Sequence, residues 1–143
     1  MIKRISVLIL ALALLFLSGC AKKLDLEIKD SSVEINGRNN NTYYNPQNED
    51  DTYCFVEINS RIYVPFGTQN GKITGDMVGE CIAYEDGDSN VRYYEVIGND
   101  DFIANYYVAG IMEQVSFWRA ADTIGKSIEI PSFIEDLGYD IWK

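Results

Sequence analysis

The sequence predicts a mainly β fold: a single β-rich α+β domain of about seven to nine strands with one or two short helices. Three observations predict it. Apolar and polar residues alternate in short runs, as in Leu24–Lys29 and Val33–Ile35, and a period of two is the strand period. Tight-turn signals punctuate those runs at Asn36-Gly37, Asn59-Ser60, Glu85–Asn90 and Gly98–Asp101. No internal repeat appears, and no linker splits the chain beyond its apolar N-terminal run.

Leu24–Lys29 and Val33–Gly37 read as the first two strands, and the polar stretches 38–42 and 45–51 as loops. Tyr53–Ile58 and Arg61–Phe66 read as a hairpin closed by Asn59-Ser60. A two-residue turn pairs Ile58 with Arg61 and Phe55 with Val64. It places Tyr53, Phe55, Ile62, Val64 and Phe66 on one apolar face, interrupted by Glu57. The glycine-rich stretch 67–79 reads as a loop with a short strand at Lys72-Ile73-Thr74. Val78–Tyr84, Val91–Ile97 and Phe102–Val108 are strands. Within Ile111–Ala121 the apolar positions Ile111, Met112, Val115, Trp118 and Ala121 fit a helical stripe, while Val115–Trp118 equally suits a strand. Ile124–Ile130 alternates until Pro131 stops it. Ser132-Phe133-Ile134-Glu135 has capping-box spacing, predicting a short helix to Leu137 that ends at Gly138.

The N-terminus is an address. Lys3 and Arg4 precede an apolar stretch, Ile5–Leu17, of about 13 residues, short of the roughly 20 that a helix needs to cross a bilayer. A basic start, an apolar middle and small residues at the end make a secretory signal peptide. Its ending, Leu17-Ser18-Gly19-Cys20, resembles the lipobox of bacterial lipoproteins. The resemblance implies a diacylglycerol thioether on Cys20, cleavage between Gly19 and Cys20, and acylation of the new amino group, commonly with palmitate. Two or more acyl chains hold a protein on a membrane that it does not span. The expected organisation is a cleaved signal peptide over 1–19, a lipid anchor and short linker over 20–23, and one extracytoplasmic domain over 24–143. That domain sits at the cell membrane, or at the outer membrane of a diderm cell. Lys22 and Lys23 either meet anionic headgroups or merely keep the linker wet.

Charge narrows the partners. Losing Lys3 and Arg4 takes the net charge from −10 to −12. Such a surface repels the phosphates of nucleic acid and keeps the folded body from lying flat on anionic lipid. The chain holds no histidine, which removes the usual general base at neutral pH, the Ser-His-Asp and Cys-His constellations, and the commonest transition-metal ligand. Cys54 and Cys81 alone make no zinc site. They are a candidate disulfide, worth roughly 3.5 kcal/mol in the chain-entropy model. The alternative is two separate buried thiols. Asp86-Gly87-Asp88-Ser89-Asn90 opens like a calcium loop, but Val91 and Ile97 stand where that loop needs glycine and glutamate, so a turn between strands is expected. No metal or other cofactor is expected.

Three tyrosine pairs occur: Tyr43-Tyr44, Tyr93-Tyr94 and Tyr106-Tyr107. Neighbours in a strand point to opposite faces, so each pair should send one ring outward. Tyr94 and Tyr107 are the outward candidates, forming with Trp118 or Trp142 an aromatic face for a glycan or a protein. The alternative is plain β-propensity with tyrosine as filler. Among the carboxylates, Glu57 and Glu95 interrupt β-prone runs, but nothing marks them as a glycosidase pair, and no catalytic residue is assigned.

Val33–Arg38 together with Ile58–Pro65 is similar to the stalk module named after the N-terminal domain of copper amine oxidases. There, too, a strand ends in Asn-Gly and a hairpin closes with an arginine and a Tyr-Val-Pro run. The similarity covers about 35 residues, and the helix that should follow it is replaced by the loop 67–79. The module is structural and binds no copper, so the resemblance implies a binding or spacer role. The expected protein is a non-catalytic, membrane-anchored lipoprotein that binds an envelope component or a protein partner. The alternatives are an inhibitor or immunity-type protein using its acidic surface, and a small carbohydrate-active enzyme.

Overall fold

A computed structural model describes residues 20–109 and 114–143. The expected signal peptide, with the lipobox-like residues Leu17–Gly19, and the helical-stripe positions Ile111 and Met112 lie outside the described residues. The rest is mainly β, with ten strands: β1 Val33–Ile35, β2 Thr42–Asn45, β3 Asn48–Cys54, β4 Val56–Ile58, β5 Arg61–Gln69, β6 Val78–Glu85, β7 Asp88–Val96, β8 Phe102–Tyr107, β9 Ser116–Ala120 and β10 Ile134–Asp136. The described residues also hold three 3-10 turns, at Arg38–Asn40, Ala121–Thr123 and Asp140–Trp142. No helix among the described residues is long and apolar enough to cross a membrane.

One large sheet runs in the order β1-β6-β7-β8-β9-β5-β10, with β4 beside the start of β5. β1 pairs parallel with β6. The other pairings are antiparallel. β2 and β3 form a separate two-stranded ribbon. The sheet is bent by register shifts in β5 between Pro65 and Gly67 and at three places between β6 and β7, since a bulge kinks its strand and adds twist. It curls until Cα atoms of its two edge strands, β1 and β4, come within 8 Å of each other, yet no ladder joins them. The result is a barrel left open along one seam.

Curling gives the sheet two buried faces. The inner face gathers Val56, Ile58, Tyr63, Ala83, Tyr93, Ile103, Trp118 and Ala120, with Ile35 and Cys54 packed against them. The outer face gathers Phe66, Cys81, Tyr94, Val96, Phe102 and Phe117, covered by Leu24, Leu26, Ile128, Phe133 and Trp142 from segments outside the large strands. Neighbours on opposite faces can therefore both be dry: Tyr93 is 0% exposed and Tyr94 1%.

The hairpin around Asn59-Ser60 forms with the expected register, Ile58 opposite Arg61. Both turn residues have positive φ, 52° and 64°, as a type I′ turn requires. Its faces are the reverse of those expected on the β4 side. Val56 and Ile58 are buried, Glu57 is exposed and Phe55 only half-buried, because β4 packs against the inner core that Tyr63 enters from β5. Ser116–Ala120 resolves the helix-or-strand ambiguity as β9. Ser132–Leu137 is a turn and then β10, which pairs with Gly67–Gln69: the free edge of β5 outweighs the capping-box signal. Leu24–Lys29, Lys72–Thr74 and Ile124–Ile130 stay outside any ladder.

Candidate functional site

The open seam forms a groove of about 460 Å³. Three carboxylates from three elements stand on its rim: Glu34 of β1, Glu57 of β4 and Asp86 of the β6–β7 turn. Each position follows from local structure. Glu57 lies between the inward Val56 and Ile58, so the pleat sends it outward. Glu34 precedes the half-buried Ile35 and accepts a hydrogen bond from the Tyr84 hydroxyl at 3.2 Å. Asp86 opens the two-residue turn before Asp88, and its N–H donates to the Ile35 carbonyl at 2.8 Å, fastening turn to strand. Ile35 and Phe55 give the groove apolar walls, with Asn36 and Asn41 beside them. Phe55 meets Tyr43 edge-on at 6.3 Å.

A buried polar cluster closes the inner core at this end of the barrel. The Tyr93 hydroxyl donates to Glu85 Oε1 at 2.6 Å, and the Arg38 backbone N–H donates to the same oxygen at 3.3 Å. Arg38 Nε lies 3.8 Å from it, and Arg38 Nη1 donates to Asn105 Oδ1 at 2.9 Å. Asn105 in turn donates to the Arg92 carbonyl. Burial, with the bond to Glu85, holds the Tyr93 hydroxyl well above the ordinary tyrosine range. Burial also pushes the Cys54 thiol up, opposed by the nearby Arg38 charge. Among the described residues no buried side-chain nitrogen or oxygen lacks a partner, so this cluster is a satisfied plug that props up the groove.

At the opposite end of the β6–β7 hairpin the chain enters the fold. Cys20 is exposed, and contacts begin two residues later. Lys22 N–H donates to Asp76 Oδ2 at 3.2 Å, and the Lys22 carbonyl accepts from Gly75 N–H at 2.7 Å. A Cβ on Gly75 would stand 2.5 Å from the Lys23 carbonyl, so only glycine admits the strap there. Leu24 and Leu26 then pack on the outer core, and the Leu26 carbonyl accepts from Tyr94 at 2.8 Å and from Arg92 at 2.6 Å. The alternation of Leu24–Lys29 is real, but it serves a strap and not a strand.

The aromatic face does not form. Tyr94 is buried in the outer core with its hydroxyl under the strap, because that side of the sheet is covered. Tyr107, 45% exposed, ends β8, while Tyr44, 61% exposed, sits in the separate ribbon. Trp118 lies in the inner core and Trp142 against the outer one. Cys54 and Cys81 are free thiols, one packed against each core cluster, so the sheet itself keeps the candidate disulfide apart. Glu57 and Glu95 line different depressions. Sequence reasoning singled out Glu57 but missed Glu34, and weighed Asp86 only within the Asp86–Asn90 stretch, as a calcium loop set aside for a turn. The signal available was the parity of Glu34 and Glu57 in their strands; what brings them together is the curl of the sheet. No family model, curated protein or solved structure matches this chain.

Proposed function

We propose that this chain is a membrane-anchored extracytoplasmic lipoprotein that binds a protein partner and performs no catalysis. The observation that carries the reading is the way the chain enters the fold. Among the described residues only Cys20 and Ala21 precede the first bonded residue, Lys22, so acyl chains on Cys20 would hold the body at the bilayer with no stalk. The seam groove lies at the far end of β6. Val78 to Glu85 is about 20–25 Å of strand, so the groove is presented outward from the anchor. Tyr94 belongs to the outer core, so the partner surface is sought at the groove and not at an aromatic face.

Replacing Cys20 by serine tests this in the source cell or a bacterial host fed a palmitate label. The wild-type chain should take up label and mature to begin at Cys20. The Cys20→Ser chain should stay unlabelled and keep its leader. Label on the variant, or its ordinary maturation, would defeat the reading.

A further inference from the structure

We propose that the end of the barrel where the chain enters the fold sits in the headgroup layer of the bilayer, through the Ile97-Gly98 turn and Ile130; this rests on the anchored-lipoprotein reading above and says which surface of the body meets the membrane. The reach of the anchor carries it. A thioether to diacylglycerol and an acyl amide on the same residue together put Cys20 itself inside the headgroup layer. That layer is about 5–8 Å thick on each side of the hydrocarbon core. From Cys20 to Lys22 is two residues, a span of about 7 Å at most. Lys22 already belongs to the folded body, since its N–H donates to Asp76 Oδ2 at 3.2 Å and its carbonyl accepts from Gly75 N–H at 2.7 Å. Even fully extended, the linker spans no more than the layer itself. The body is therefore held against the headgroups, and the surface around Lys22 meets them.

That surface is suited to the contact. Ile97 lines one depression with Lys22 and Lys23, and its N–H donates to the Met77 carbonyl at 2.9 Å, next to the loop that holds Lys22. Asn99 Nδ2 donates to the Glu129 carbonyl at 3.2 Å, which ties Ile130 to the same turn. Ile97 is 46% exposed and Ile130 40%. Single exposed apolar side chains are ordinary on a protein surface. Here the tether independently brings the end that carries them to the edge of an apolar medium. The two lysines can keep their heads among the lipid phosphates while their stems lie along the protein. Asp25, Glu80 and Glu95 share the depression, and Asp100 is almost fully exposed nearby. These carboxylates keep the contact shallow and favour zwitterionic headgroups over an anionic surface.

The test uses the full chain matured in a bacterial host and set one copy to a phosphatidylcholine nanodisc, so that no second copy covers the turn. Tryptophan is introduced singly by Ile97→Trp, Ile130→Trp or Tyr107→Trp. Emission is compared between ordinary lipid and lipid brominated high on its acyl chains, which quenches only rings close to it. Tyr107 is the control: it is 45% exposed and ends β8, which starts at Phe102 just after the Ile97 turn, so it lies about 15–20 Å along the strand from that end. Tryptophan favours an interface equally from all three positions, so a difference reports placement. Trp118 and Trp142, held in the two cores, give a background that the parent chain measures. The emission added by Ile97→Trp and by Ile130→Trp should fall about twofold or more in brominated lipid, and that added by Tyr107→Trp should stay unchanged. Equal quenching at Tyr107→Trp would mean that the body lies on its side. Absence of quenching at either isoleucine position would mean that this end stands clear of the lipid. Each result overturns the proposal, and melting temperatures equal to the parent's show that the fold survives the substitutions. The mass of the matured chain separates the two readings. A chain without acyl groups defeats the anchor itself, whereas an acylated chain with an unquenched turn defeats only this contact.

Discussion

The two faces of the curled sheet are equally buried but built differently. The inner core is made almost entirely by the strands themselves and is plugged at the groove end by Glu85, Tyr93, Arg38 and Asn105. The outer core is covered by segments that belong to no ladder: the strap after Cys20, the stretch around Ile73 and Met77, the stretch around Ile128, and the C-terminal turn bearing Trp142. These segments are fixed through side chains of the sheet that reach their carbonyls, as Tyr94 and Arg92 reach Leu26. Arg119 shows the same device. Its buried guanidinium donates to the carbonyls of Thr123 and Lys126 at 2.9 and 3.0 Å and stacks 4.7 Å from the Trp142 ring. A sheet that curls satisfies one face by closing on itself and must recruit loose chain for the other. Alternation in a strand records which side a residue takes, not whether that side is wet.

Adjacent residues in β9 give the sharpest test of that equivalence, because Phe117 faces the outer core and Trp118 the inner. Phe117→Ala and Trp118→Ala should each cost about 3–5 kcal/mol in urea melts. A full loss for Trp118 with less than about 1 kcal/mol for Phe117 would break the comparison, since the outer cover would then be a loose drape.

Tyr93 and Tyr94 sharpen it at smaller scale. Tyr93→Phe removes a hydroxyl from a buried carboxylate and should cost about 1.5–3 kcal/mol. Tyr94→Phe removes one from the strap carbonyl of Leu26 and should cost about 0.5–1.5 kcal/mol. Both hydroxyls are held above the ordinary tyrosine value, chiefly by burial, with the Glu85 bond adding to it at Tyr93. The folded chain then keeps protons that the unfolded chain sheds as pH passes about 10. Their contribution is complete below that pH and is lost as pH rises beyond it. Each phenylalanine variant should therefore lose less stability between pH 9 and pH 11 than the parent. An unchanged slope in both variants would place these hydroxyls in water.

The smallest expected effect is no effect. With Cys54 and Cys81 separated by the sheet as free thiols, a thiol reductant should leave the melting temperature where it was, and both should be alkylated once the chain is unfolded without reductant. A reductant-dependent drop of several degrees would mean that the two faces are bridged after all.

Local chemistry in the sequence determined the turns and most of the strands. Asn59 and Ser60 tolerate positive φ in a two-residue hairpin, and Asp86-Gly87 reverses the chain between β6 and β7 whatever surrounds it. The exposed Glu57 was legible as a break in an apolar run. Tertiary structure decided what local chemistry left open. Val115–Trp118 was as good a helix as a strand until β5 and β8 offered edges on both sides. Ser132–Glu135 gave up its helix signal to the free edge at Gly67–Gln69. Leu24–Lys29 kept its alternation but found a face to cover in place of an edge to pair. The groove belongs to this second group. Glu34, Glu57 and Asp86 are separated by more than twenty residues at each step, and only bulges that curl the sheet until β1 meets β4 bring them to one rim. A strand's pattern encodes the direction of its side chains, whereas the distance between two strands is set by everything folded between them.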